Sequence, residues 1–209
     1  MIPFVPMPPF EYGRLDAVSP LIQRVVANNP GPFTYTGTGT YIVGKSENGA
    51  GVTVIDPGPD DADHLAALLA AVAGRRVTHV VVTHTHRDHA PLARPFAEAV
   101  GAPIFAARPP LRDVHASAAL DEDDDDAFAP DRVLVGGEVL QGDGWTLEAI
   151  ATPGHASNHL AFALREEAAL FSGDHVMGWS TTVVAPPDGD MTDYMISLDR
   201  VIARGFATL

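Results

Sequence analysis

His79-Val80-Val81-Val82-Thr83-His84-Thr85-His86-Arg87-Asp88-His89 runs a nearly all-apolar stretch straight into three histidines and an aspartate. Residues 79–83 have the pattern of a strand covered on both faces. Imidazole and carboxylate groups are costly to bury unless they are paired or bound to metal. A cluster of them at the end of a buried strand is therefore hard to explain as packing, and a surface histidine patch of no consequence is the bland alternative. His84 and His86 stand two apart, so extended backbone projects both rings to the same side. If the chain then turns, Asp88 and His89 reach a second point close by. These nitrogen and oxygen donors suit zinc, iron or manganese.

Upstream of this stretch, residues 40–43 and 52–55 predict two paired strands joined by a polar loop that contains glycine. The second of these stops at Asp56-Pro57-Gly58. From about Asp61 the period becomes helical, with Leu65, Leu68, Leu69 and Val72 on one face and Gly74 at the C-terminal cap position. The first forty residues read as an irregular, proline-rich arm followed by turn-forming text. Downstream, a helix is expected over 90–100 and short strands over 103–106, 132–135, 145–151, 160–164 and 168–171. Tyr194, Met195, Leu198, Val201 and Ile202 then make the apolar stripe of a last helix, closed by Gly205. Residues 206–209 resemble the start of another strand. No linker-like composition divides the chain, so one domain spanning 1–209 is expected. Strands followed by helix recur in two halves, which favours a layered α/β sandwich.

Two further strand ends offer donors. Thr152-Pro153-Gly154-His155 follows one expected strand, and Ser172-Gly173-Asp174 follows the next. Gly-His and Gly-Asp turns are common singly, but three strand ends delivering donors form a specific constellation. The chain has no cysteine, which excludes disulfides, thiolate-held metal and cysteine nucleophiles.

These motifs resemble the HxHxDH signature of the metallo-β-lactamase superfamily and the two motifs that follow it, in matching order and spacing. The resemblance covers the chain from about Asn29 onward. The stretches from Asn29, from Gly39 and from Trp179, followed by Asp193-Tyr194-Met195, resemble the β-lactamase-like protein 2 branch, whose best-known animal member is a mitochondrial endoribonuclease. Glyoxalase II is a more distant relative. The resemblance implies an α/β (α+β) fold, a four-layer αββα sandwich with metals at one edge of its two sheets. It implies that His84, His86 and His155 hold one zinc, that Asp88 and His89 hold a second, and that Asp174 bridges the pair. Asp56 would steady the metal-binding loop. Members of this family supply a further histidine after the helix that follows Asp174, whereas here no histidine lies beyond His175. A chain truncated at its C-terminus is therefore expected, with a one-metal variant as the alternative.

The expected chemistry is hydrolysis by a hydroxide shared between two zinc ions, with Asp88 both holding metal and orienting the nucleophile's proton. The substrate would be a small ester, thioester or lactone. A single-strand-specific endoribonuclease is the alternative, and the formal net charge of −14, from 27 acidic and 13 basic side chains, disfavours it. A non-catalytic metal-binding scaffold and an iron-containing redox protein are further alternatives. The N-terminal residues lack the features of a secretory or transit peptide, and no stretch approaches about eighteen uncharged apolar residues. A cytoplasmic protein with no membrane partner is expected.

The remaining histidines read separately. His159 is expected near the cleft, against substrate or supporting a ligand, or as an ordinary hydrogen-bonded residue. His175 is expected to point away from the metal, His79 to be structural, and His64 and His115 to lie on the surface. Trp179, Thr181 and Thr182 are candidates to line the pocket, with loop packing the simpler role for the tryptophan. The acidic run 121–126 reads as a solvated loop.

Overall fold

A computed structural model describes residues 9–110 and 128–208. His115 and the acidic run 121–126 lie outside the described residues. The first sheet has seven strands in chain order: β1 (Asp16–Ala17), β2 (Ile22–Val26), β3 (Gly39–Val43), β4 (Gly51–Ile55), β5 (Arg76–Val81), β6 (Ile104–Ala106) and β7 (Arg132–Val133). Its first four strands pair antiparallel and its last four pair parallel. Parallel neighbours need a crossover, and α1 (Ala62–Ala71) and α2 (Ala93–Val100) provide the first two. The second sheet is antiparallel, in the order β11-β10-β9-β8, built from β8 (Val139–Gly142), β9 (Trp145–Ala151), β10 (Leu160–Leu164) and β11 (Ala169–Phe171). A final helix, α3, spans Met191–Ile202.

The side chains sort these elements into four layers. Leu68 and Val72 near α1, and Phe96 and Ala97 of α2, pack on Val25, Ile42, Val52, Val54 and Val80 of the first sheet. The opposite face of that sheet, through Ile22, Val43, Ile55 and Val81, meets Trp145, Leu147, Leu160, Phe162 and Phe171 of the second. Beyond the second sheet, Val201 of α3 covers Ile150, Ala161, Ala163 and Leu170. The expected αββα order is thus the observed one. Strands covered on both faces need no alternation, and β4 and β10 are buried at every residue.

Local signals account for the helix boundaries. Asp61 caps α1 by accepting from the backbone N–H groups of Asp63 and His64, and Asp190 does the same for α3 through Thr192 and Asp193. Gly101, with φ of 69°, closes α2 in the left-handed conformation.

Three expectations need correction. The N-terminal region is not irregular throughout, because β2 lies between β1 and β3. The strand β8 was not foreseen. His64 is buried, with 3% of its surface exposed, because it turns inward from α1 to reach Thr40. Among the described residues no helix is long and apolar enough to cross a membrane.

Candidate metal centre

Every candidate donor lies just past a strand end on one rim of the two sheets. Asp56 follows β4 directly, the stretch from His84 to His89 follows β5, His155 follows β9, and Asp174 follows β11. The rim is drawn together by a hydrogen bond from the Leu160 N–H of the second sheet to the Thr83 carbonyl, at 2.8 Å. The glycines of the two later motifs permit close approach. A Cβ on Gly154 would come within 2.3 Å of the Tyr194 backbone, and one on Gly173 within 2.7 Å of His159 Nε2. A side chain at either position would displace the donor that follows it.

The hydrogen bonds fix which ring nitrogens face the centre. The Thr83 hydroxyl donates to Asp56 Oδ2 at 2.8 Å, so its oxygen accepts from His84 Nδ1 at 3.0 Å. His155 Nδ1 donates to the Val183 carbonyl at 2.6 Å. Both rings therefore turn an unprotonated Nε2 toward His86 Nδ1, at 2.9 Å from His84 and 3.1 Å from His155. One ring proton on His86 can satisfy at most one of these contacts. A cation satisfies all three lone pairs, and the separations approach the roughly 3.3 Å edge of a tetrahedron with bonds of about 2.0–2.1 Å to nitrogen. Burial, then the neighbouring histidines, push the His84 imidazole well below its ordinary value, which keeps it neutral and able to ligate.

A second group adjoins the first. His89 Nδ1 donates to Asp56 Oδ2 at 2.9 Å, which aims Nε2 between Asp88 Oδ2 at 3.1 Å and Asp174 Oδ1 at 3.3 Å. Burial opposes charge on this ring, yet Asp88, Asp174 and Asp56 raise its affinity for a proton well above the ordinary value. Asp88 and Asp174 are held below the ordinary carboxylate range against the cost of burial, chiefly by His89. Three carboxylates around one imidazole mark a place built to hold positive charge. Asp174 faces both groups, since its Oδ2 lies 3.7 Å from His155 Nε2. The donor atoms of His84, His86 and His155 lie within 4.8 Å of one another, as do those of His84, His89 and Asp174. The donor set fits bound metal, and His84 is common to both groups.

The supporting residues are equally specific. Asp56 adopts a positive φ of 50° and also accepts from the Thr83 N–H at 2.7 Å. Thr38 donates to Asp88 Oδ2 at 2.9 Å and is itself held by Asn29. His159 is 1% exposed, so of the roles expected for it the contact with substrate is not available. Its Nε2 accepts from the Asp174 N–H at 3.2 Å and its Nδ1 donates to the Thr152 hydroxyl at 2.8 Å, which locks Asp174 in place. His175 lies outside both donor groups, beside the Tyr194 ring at 4.9 Å. His79 packs against Phe105 and Trp145. Sequence reasoning named Asn29 only within a resembling stretch and gave neither it nor Thr38 a role at the site, because nothing local links Thr38 to a donor 50 residues downstream.

The loop after Asp174 folds back over the rim. The Thr182 hydroxyl donates to the Asp174 carbonyl, while Thr181 is exposed. Trp179 packs on Tyr35, with ring centroids 5.0 Å apart and planes at 17°. Neither ring belongs to the core.

Residues 37–209 match the sequence profile described as Metallo-beta-lactamase superfamily. The chain is 36% identical over 198 residues to an atrochrysone carboxyl ACP thioesterase of Aspergillus fumigatus, covering 92% of this chain and 55% of the relative. It is 32% identical over 194 residues to a Beta-lactamase-like protein 2 homolog of Caenorhabditis elegans, covering 90% of this chain and 59% of the relative. The chain therefore spans a little over half the length of these two relatives. Among solved structures, a metallo-beta-lactamase family protein of Thermus thermophilus superposes with a TM-score of 0.70 at 23% identity, covering 92% of this chain and 73% of that one.

Proposed function

The chain belongs to the metallo-β-lactamase superfamily, and on that premise we propose that it is a dinuclear zinc hydrolase of small thioesters, esters or lactones. The observation that carries this reading is the pair of adjoining donor groups with Asp174 facing both. In the proposal His84, His86 and His155 hold one zinc, Asp88 and His89 hold the other, and Asp174 lies between. The thioester is placed first because the Aspergillus fumigatus relative is described as a thioesterase.

When bound, two zinc ions supply a water that deprotonates near neutral pH and an electrophile for the acyl oxygen. The chain's own groups do the rest. The side chains of Asp88 and Asp174 are 27% and 21% exposed, whereas that of Asp56 is 6% exposed. Exposure thus sets Asp56 aside, and of the other two we assign the proton of incoming water to Asp88, whose carboxylate Thr38 holds in a fixed orientation. Asp56 keeps the His89 ring in one tautomer. Water adds its oxygen to the acyl carbon, the carbon–sulfur bond breaks, and the sulfur leaves with a proton as a thiol.

Elemental analysis of protein purified without added metal, followed by a thiol-release assay on N-acetylcysteamine thioesters, tests the reading. Two zincs per chain and release that stops on chelation are expected. Chelator-insensitive release, or a chain with no bound transition metal that gains none on titration, would overturn it.

A further inference from the structure

The Tyr35–Trp179 stack is unexplained by folding. Tyr35 is 48% exposed, and Phe33 beside it is 38% exposed. Trp179 is half-buried. A bulky residue with φ of 54° is a backbone outlier, and a turn alone would be made at lower cost by glycine or asparagine. The turn is nonetheless well built. Gly31 and Tyr35 exchange backbone hydrogen bonds at 3.3 and 2.8 Å, and the Thr34 hydroxyl caps the Asn29 carbonyl at 2.5 Å.

Each ring stands three residues from a group that touches a candidate donor. Tyr35 precedes Thr38, which bonds Asp88, and Trp179 precedes Thr182, which bonds Asp174. Three residues of chain span at most about 10–11 Å, so the stacked rings belong to the same two loops that bring Thr38 and Thr182 to the candidate donors. Both loops are anchored to the residues expected to hold metal, which makes this aromatic surface pre-organised rather than collapsed. It is an apolar, flat patch on a molecule of net charge −14, which disfavours a polyanion lying across it. Planar groups stack on such a surface in offset or edge-on geometry and gain more there than flexible chains of equal area.

We propose that Tyr35 and Trp179 form a recognition surface beside the metal centre that selects substrates with a flat, aromatic acyl group over alkyl ones. This rests on the hydrolase reading above and names the substrate class for that site. Trp179 and Tyr35 are specificity residues in this assignment and take no part in bond breaking.

Two measurements on the zinc-loaded protein test it. The first is kcat/KM for the N-acetylcysteamine thioesters of 2-naphthoate and of hexanoate. The second is calorimetric binding of 2-naphthoate and hexanoate themselves. The Trp179→Ala variant is expected to lower kcat/KM for the naphthoyl substrate about fivefold to tenfold more than for the hexanoyl substrate, through KM. Its naphthoate affinity should fall by a similar factor, and Trp179→Phe should restore both. An aryl-to-alkyl ratio that is the same in wild type and Trp179→Ala would overturn the proposal while leaving the hydrolase reading intact. Naphthoate binding that depends on Trp179 in a protein that hydrolyses neither thioester would sustain the surface and remove the hydrolase reading. Displacement of naphthoate by oligouridylate, lost in Trp179→Ala, would assign the rings to a nucleobase and overturn the proposal.

Discussion

Asp56 shows how one side chain can govern a site through the back of a candidate ligand, His89. Its two carboxylate oxygens accept from Thr83 twice and from His89 once, so an amide in its place must turn a donor toward a donor. Asp56→Asn is expected to weaken metal affinity by about 10–100-fold, read by zinc competition with a chromogenic chelator. Unchanged affinity would show that the backbone alone orients His89. Asp88→Ala and His86→Ala are expected to lower thioester turnover by about a thousandfold or more, and wild-type rates in either variant would refute the site. The donors were legible because their spacing carries chemistry. His64 was not, because it reads as the polar face of a helix. Its burial depends on Thr40, which donates to the Asp56 carbonyl at 2.7 Å and so accepts from His64 Nε2 at 2.9 Å. That partner lies 24 residues away, beyond any local pattern.

At the scale of elements, the central strands of the second sheet were readable, whereas β2 was not, although it pairs along its full length with β3. Residues 145–151 and 160–164 stand as expected, because their composition matches strands covered by neighbouring layers. The strand β2 was hidden by Gln23 and Arg24, polar residues in what is a nearly buried position. Gln23 is 3% exposed and is satisfied by the Gly44 carbonyl and by Arg75, partners supplied only by the folded chain. The attachment of α3 to the second sheet adds a charged component. Glu148 of β9 is bonded by Arg204 at 2.7 Å and by Arg165 at 3.2 Å, which hold its carboxyl below the ordinary value of 4.5. A depressed carboxylate stabilises the fold above its ordinary value, and the contribution is lost as pH falls through the lower folded value. Glu148→Gln is expected to cost about 0.5–1 kcal/mol at pH 7, discounted for the exposure of both arginines. Urea midpoints for the two proteins should differ at pH 7 and draw together as pH falls below the ordinary carboxylate value of 4.5. A gap that does not narrow with falling pH would assign the effect to packing.

For the whole molecule, the candidate donors sit at strand ends of both sheets, so a metal held by them would tie the two sheets at one rim. Stability should therefore follow metal supply. At free zinc about a hundredfold above its dissociation constant the gain is about 2.7 kcal/mol, or roughly 5–10 °C in Tm for a domain of this size. Calorimetry with and without a chelator reads this, and a chelator-independent Tm would argue that the fold and the site are uncoupled. The contact between His86 and His155 joins residues 69 apart, one from each sheet. In polymer terms, a cation held there is a reversible cross-link that closes a long loop. In the proposed metal-bound state, a chain without cysteine would tie its two halves with a linkage set by metal activity and proton concentration. Thiol reductants open a disulfide by exchange, whereas they would reach this linkage only as ligands that compete for the metal.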